Sequence, residues 1–487
     1  MRENYPTAQL RGYWPLLLIL FAYFIAGTLY AVQTPHWQVP DEPAHYNYIR
    51  TLAEQHQLPE MTAQDYDQIY IERLTSEQFP PHLSIAPLTY EDHQPPLYYL
   101  LATPIFWLGE GRLLPLRLFS LTLGAVVVVM TALITAEVLP QSPGLSWLAA
   151  GLVACLPQHL AMMAGVNNDS LTEALLALWL WLALRYLRGK TSPLSLGVVL
   201  GALLLTKTTG YVALPLALLV IVLRWRRGGF AFSWALHQAA ALFIPGLLLG
   251  ALWWTRNSLL YGWPDILGLQ RHHAVVVGQP RTAAWIARDG LGLFLHNALH
   301  TTFRSFWGQF GWMGVVLDQR IYLGAGLLSG LMVWGAAWQA IFALYRGISR
   351  TQQDAGCLLG TATLITFALP LWYNLTFVQH QGRYLFPALP ALALIAALGL
   401  RQLTHKQVAI AATSLLAIAG LVIGGLGLLR GDLPLWTLAL VGSAALFTAL
   451  SGLTAAKFNA IWGALLLGGL FVLDMWCLFG FIVPLLR

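Results

Sequence analysis

The chain has 487 residues, of which 57% are hydrophobic and only 10% charged, with a net charge of +6 and a mean hydropathy of +0.63. That composition excludes an ordinary soluble domain and describes an all-α polytopic membrane protein. The basic residues lie mostly in short loops, where they set orientation in the bilayer, so the positive balance gives no sign of a nucleic-acid partner.

The first apolar run, residues 14–32, follows Arg2 and Arg11 in the outline of a signal peptide. It is long enough to span a bilayer and lacks a small-residue cleavage site, so it reads as an uncleaved first helix. A few residues beyond it comes Pro40-Asp-Glu-Pro-Ala-His-Tyr46. Solvating a helix end is the ordinary role of an acidic pair in a loop. Here Asp41 and Glu42 are stiffened by Pro40 and Pro43, flanked by Trp37, His45 and Tyr46, and placed at the depth of lipid headgroups, which favours chemistry.

A second polar cluster, Tyr90-Glu-Asp-His-Gln-Pro-Pro-Leu-Tyr-Tyr99, closes the same loop. Glu91, Asp92 and His93 are metal-ligand types, but three consecutive residues on a regular element do not face one centre. No cofactor is certain. A divalent metal is left open, with Asp92, His93 and His380 as candidate ligands. The segment Leu97–Leu108, with about 12 apolar residues, is too short for a span and reads as interfacial.

With a cytoplasmic N-terminus, spans follow at about 115–138, 145–165, 170–188, 192–206, 209–224, 236–255, 322–345, 356–376, 384–400, 407–428, 434–453 and 460–485, about 13 with the first. This parity puts Arg185, Arg188, Lys190, Arg224, Arg226, Arg227, Arg346, Arg350, Arg401, Lys406 and Lys457 in the cytoplasm, as the positive-inside rule prefers. Two long loops, 33–114 and 257–321, then face outward and hold most of the acidic residues and histidines. Residues 46–58 and 282–299 have the mixed polar and apolar spacing of amphipathic helices lying on the membrane. Cys155, Cys357 and Cys477 all fall within spans, without metal spacing, and read as packing residues.

Three outward turns carry further polar groups. In Asn167-Asn168-Asp169-Ser170, Asp169 and Ser170 are good helix caps. Lys207, in Leu205-Thr-Lys-Thr-Thr-Gly210, is a lone cation on the face that the charge rule keeps poor in cations, and a bound anion would account for it. Arg256 and Arg383 are likewise outward cations at helix ends, where snorkelling to the headgroups is the ordinary explanation. Together the three fit a pocket for a phosphate beside a carboxylate base.

The acidic pair after the first helix, the His-x-Pro-Pro-Leu element, the acidic second turn, the Thr-Lys-x-x-Gly turn and Gln381-Gly-Arg-Tyr-Leu-Phe-Pro387 resemble the GT-C superfamily of polyprenyl-phosphate-sugar-dependent glycosyltransferases. Within it the chain is similar to the bacterial branch related to protein O-mannosyltransferases and lipid A aminoarabinose transferases, and most of all to a largely uncharacterised bacterial family there. The resemblance implies a GT-C-like catalytic module over residues 1–400, followed by generic C-terminal helices over 401–487. It implies Asp41 as general base, Glu42 as its support or an acceptor ligand, and Lys207, Arg256 and Arg383 on the donor phosphate. His45, Tyr46, Glu91, Asp92, His93, Asp169, His380 and Tyr384 would contact substrate or acceptor. Gln94 stands where the aminoarabinose transferases carry a cation before the proline, so the acceptor, whether glycan, lipid or protein, does not carry over.

The implied reaction is inverting transfer from a polyprenyl-phosphate sugar at the extracytoplasmic face of a bacterial inner membrane, with membrane lipids as the remaining partners. A transporter or flippase of a lipid-linked anion is the alternative. It would place its polar site near the midplane on broken helices, commonly with internal repeats, whereas the clusters here lie at one surface and no repeat is visible.

Overall fold

The structure, a computed structural model, describes residues 14–454 and 459–487; Arg2, Arg11 and Lys457, used above for orientation, lie outside them. The chain opens with α1 (Trp14–Gln33), followed by a loop holding α2 (Glu42–Gln55), α3 (Gln68–Ser76) and α4 (Leu97–Leu108). The bundle continues with α5 (Leu113–Val138), α6 (Pro143–Ala154), α7 (Pro157–Met163), α8 (Asp169–Leu187), α9 (Pro193–Leu204), α10 (Ala213–Gly228) and α11 (Phe232–Tyr261). A second long loop contains α12 (Leu269–Val275), α13 (Thr282–Asp289), α14 (Leu291–Trp307) and a small hairpin, β1 (Gln309–Phe310) with β2 (Val315–Val316). Then come α15 (Gln319–Arg346), α16 (Arg350–Tyr373), α17 (Leu389–Gln402), α18 (Lys406–Arg430), α19 (Leu435–Leu453), α20 (Asn459–Cys477) and α21 (Val483–Leu486). It is an all-α polytopic membrane protein.

Helix lies at each of the thirteen expected spans, but not every one is a simple crossing. Among the described residues, 11 helices are long and apolar enough to cross a membrane, and the pair α6 and α7, bent by 67°, makes up to 12. Pro157 has no N–H to continue the α6 ladder, so that span breaks after Ala154. Helix α9 has 12 residues, about 18 Å at 1.5 Å per residue, well short of a bilayer core of about 30 Å. Because α9 stops early, the turn after it, with Lys207, lies inside the protein.

The loops differ from expectation in a similar way. Helix α2 does not rest on the membrane: Tyr48, Ile49, Leu52 and Ala53 are buried against Tyr98, Tyr99 and Ala102 of α4. The expected 282–299 helix is two, because Gly290 at φ 84° turns the chain between α13 and α14. The 3₁₀ turn 382–388 packs against α14, with the Gly382 N–H donating to Ser305 Oγ at 2.7 Å.

The helices meet through close packing and few polar contacts. Tyr23 and Tyr30 of α1, Leu121 of α5, Met163 of α7 and Leu470 and Cys477 of α20 belong to one buried cluster, so the last helices return onto the first. Helices α15 and α17 cross backbone to backbone: a Cβ on Gly335 would fall 2.0 Å from the Gly399 carbonyl oxygen, and one on Gly399 would fall 2.0 Å from that of Met332. Small residues at such a crossing are what let two transmembrane helices approach. Gly335→Val and Gly399→Val should each cost at least about 3 kcal/mol, the upper part of the overpacking range. Thermal unfolding of the detergent-solubilised chain measures this, and Gly442→Val, which meets nothing within 4 Å, should leave the transition unchanged.

Candidate functional site

The stretch between α1 and α2 is set by an arginine that the sequence reading passed over. Arg117, one turn into α5 and 1% exposed, donates from both Nη1 positions to the carbonyls of Ala31 (2.9 Å) and Thr34 (2.7 Å), and from Nη2 to that of Pro35 (3.0 Å). Its remaining N–H groups hold Glu42, Nε on Oε1 at 2.8 Å and Nη2 on Oε2 at 2.7 Å. Glu42 also accepts from the backbone N–H of Val166 and of Trp37, both at 3.1 Å. Both carboxylate oxygens of Glu42, expected to support Asp41 or bind the acceptor, are engaged in these contacts. The signal for Arg117 was present: a lone cation inside an apolar span needs a partner.

Held this way, the chain reaches α2 with Asp41 at φ 66°, in the left-handed region that costs most residues energy. Asp41 occupies the cap position but makes no capping hydrogen bond. Its carboxylate turns inward instead: Oδ1 accepts from the Tyr90 hydroxyl at 3.0 Å and Oδ2 from Arg383 Nη2 at 2.7 Å. Burial would raise its pKa, but the Arg383 guanidinium, His45 and the Tyr90 hydroxyl outweigh that and hold it below the usual carboxylate range.

Opposite these groups, Asp169 in the first turn of α8 binds Lys207 Nζ at 2.7 Å. Asn167 does the capping there, its Oδ1 accepting from the Ser170 N–H at 3.1 Å, which frees Asp169. The Lys207 ammonium is opposed by burial, but Asp169 and Glu91 prevail and raise its pKa. His45 Nδ1 is 2.9 Å from the Tyr99 hydroxyl, which also accepts from Asn168 Nδ2 at 3.3 Å. Burial lowers the pKa of His45, while the carboxylates of Glu91, Asp41 and Asp169 pull it back up. The Tyr384 ring lies 5.5 Å from the Arg383 guanidinium. Asp41, His45, Glu91, Asp169, Lys207, Arg383 and Tyr384 therefore form one site, joined by Tyr90, Tyr99 and Asn168, which sequence reasoning did not assign. Glu91 Oε2, Asn168 Oδ1, Thr209 Oγ1 and Arg383 Nε are buried there without a hydrogen-bond partner.

The other candidates make contacts of their own. Arg256 does not join Lys207 and Arg383; it stacks on Trp253 at 4.5 Å and donates to the Pro59 carbonyl and to Asn257 Oδ1 (3.2 Å), tying down the first loop. Tyr46 donates to the Gly111 carbonyl at 2.7 Å and packs on Trp37 and Phe106. His93 pairs with the Tyr90 carbonyl and with the His272 ring 4.3 Å away, and burial takes its pKa down to about 4. His380 lies against the Phe294 ring at 4.9 Å. Asp92, His93 and His380 are thus not a ligand set, and among the described residues no three His, Cys, Asp or Glu side chains are grouped to hold a metal.

Comparison with solved structures places the chain in a known fold. No family model matches the chain, and no curated protein sequence matches it. Two similar structures are those of ArnT from Cupriavidus metallidurans, one bound to undecaprenyl phosphate and one in the apo state. The first aligns with a TM-score of 0.51 at 16% identity over 99% of this chain and 77% of that one. The second has the same score at 15% identity, over 96% of this chain and 76% of that one. The fold is GT-C-like. In this GT-C-like fold the buried site lies where the loop after α1 meets the 382–388 turn.

Asp92 gives a measurable consequence of burial. Its side chain is 5% exposed, Oδ1 has no partner, and burial with Asp65 and Glu91 nearby raises its pKa to about 8. A carboxyl whose folded pKa is raised contributes stability below its unfolded value, near pH 4, and that contribution is lost as pH rises through about 8. Asp92→Asn should therefore match the wild type near pH 4 and melt higher at pH 8, as read by thermal unfolding across that range. Equal melting temperatures at both pH values would contradict a buried, raised Asp92.

Proposed function

We propose that this chain is an inverting glycosyltransferase that moves a sugar from a polyprenyl-phosphate donor to an acceptor hydroxyl at the extracytoplasmic face of a bacterial inner membrane. The observation that carries the reading is Asp41: a carboxylate in a strained backbone, released from capping and bound to Arg383 and Tyr90. The GT-C-like fold, shared with a protein solved bound to undecaprenyl phosphate, supports a lipid-phosphate donor.

The chemistry follows from the charges. The donor's sugar–oxygen bond breaks at C1 and its electron pair leaves with the phosphate, whose developing charge Lys207 and Arg383 neutralise. The acceptor oxygen forms the new bond on the opposite face of C1, and its proton passes to Asp41. Arg383 carries a second consequence. Paired with it, Asp41 is a weak base, but a phosphate arriving at the same guanidinium competes for that contact and lets the carboxylate regain proton affinity. Donor binding thus prepares the base, while the empty site holds Asp41 in check.

Asp41→Asn should fold, since Asn tolerates the left-handed region, and should still bind undecaprenyl phosphate. Transfer should fall by about 10²- to 10⁴-fold, the usual worth of a general base. The assay is lipid mass spectrometry of a deletion strain: a polyprenyl-phosphate sugar accumulates, the wild-type chain clears it and the Asn variant does not. Clearance by the Asn variant at the wild-type rate would remove Asp41 from the mechanism.

The cations separate in a binding experiment. Lys207→Gln and Arg383→Gln should each weaken undecaprenyl phosphate binding by about 1.5–3 kcal/mol, the worth of a hydrogen bond to a charged group. Arg256→Gln, with its cation on the first loop, should leave binding unchanged. Titration of the purified variants with that lipid decides it, and a loss confined to Arg256 would place the phosphate elsewhere.

A further inference from the structure

A cavity of about 460 Å³ runs between α14, α15 and α18, apart from the Asp41 site. Helix α14 separates the two. It meets the 382–388 turn with Thr302, Ser305 and Phe306, and the cavity with His300, Phe303 and Arg304 on its other side.

The cavity has a polar end and an apolar length. At the polar end Arg304 stacks on the Tyr322 ring at 4.9 Å and donates Nη2 to Gln319 Oε1, while its buried Nε has no partner. Among the described residues no carboxylate pairs with it. The nearby acid, Asp318, caps α15 through the Arg320 N–H at 2.8 Å and faces the Arg320 guanidinium. The cation at the cavity mouth is therefore uncompensated.

The apolar length exists because α15 carries glycine where a side chain would fill it. A Cβ at Gly330 would meet nothing within 4 Å, and one at Gly326 would meet only the Phe303 ring edge at 3.8 Å. From Gln319 to Trp334 the groove follows α15 for about 22 Å at 1.5 Å per residue, most of one long acyl chain and less than the bilayer core. Gly330 and Leu415 are exposed along it, within spans, so it opens sideways into the bilayer. An occupant must therefore dissolve in hydrocarbon and carry a negative head at the membrane boundary.

We propose that this groove binds an anionic phospholipid of the surrounding membrane, its phosphate on Arg304 and one acyl chain along Gly326 and Gly330. An uncompensated cation prefers a net negative lipid to a zwitterionic one. The position across α14 from Arg383 keeps that phosphate away from Asp41, so the bound lipid is a structural ligand and not a reactant.

The test uses the full chain in nanodiscs of equal phosphatidylglycerol and phosphatidylcholine with matched acyl chains, released for native mass spectrometry. One phosphatidylglycerol should stay with each chain in preference to phosphatidylcholine. Arg304→Gln, which removes the charge, and Gly330→Leu, which fills the groove, should each reduce retention by about tenfold, as for loss of one charged hydrogen bond or of its equivalent. Gly442→Leu, also facing open space, should retain the lipid. Retention unchanged in both groove variants, or equal retention of the two lipids, overturns the proposal. Displacement of phosphatidylglycerol by undecaprenyl phosphate with the same Arg304 dependence also overturns it, and assigns the groove to a prenyl chain.

Discussion

The site depends on the buried ion pair between Arg117 and Glu42. Taking two charges out of water costs several kcal/mol per ion, and attraction between them offsets this only when the remaining donors and acceptors are also satisfied. Here all five guanidinium N–H groups and both carboxylate oxygens are used. Arg117 closes the last turn of α1 at Ala31 and the two residues after the helix, Thr34 and Pro35, and Glu42 links the start of α2 to the turn before α8. A short loop fastened at both ends in this way has little freedom, and Trp37 and Asp41 take left-handed conformations within it. The pair thus turns a generic acidic dipeptide into one carboxylate that holds structure and one that faces the site.

Around Asp41 the polar groups are paired unevenly. The Asp169–Lys207 and Asp41–Arg383 pairs are close, yet Glu91, Asn168, Thr209 and Arg383 each leave a buried atom without a partner. Orphaned polar atoms cost stability, and native chains carry few of them. These are some of the unpartnered buried atoms, and others are spread through the bundle, as at Thr135, Gln309 and Thr366. The short helix α9 belongs to the same arrangement: it ends at Leu204, and the turn after it brings Lys207 to Asp169.

The two faces of α14 show how one amphipathic helix serves two neighbours. Its Ser305 face fixes the turn that presents Arg383, and its Arg304 face borders the lipid-facing groove. Glycines set both contacts, Gly382 by letting the turn approach α14 and Gly326 with Gly330 by leaving α15 bare.

The sequence by itself determined the class, the position of nearly every helix, and the polar stretches that matter, because long apolar runs and charges stranded among them have few physical readings. Asp41, Glu91, Asp169, Lys207 and Arg383 were all legible as polar groups at helix ends. Only tertiary structure decided which of them meet. Asp41 and Glu42 are chemically alike neighbours, and Arg117, distant in sequence, separates them. Arg256 and Arg383 are both cations at helix ends, and whether a cation reaches a carboxylate or a loop carbonyl depends on helix length and packing. The break before Pro157 and the early stop of α9 set those depths, and hydrophobicity, which measures composition along the chain, carries no information about where two helix ends meet.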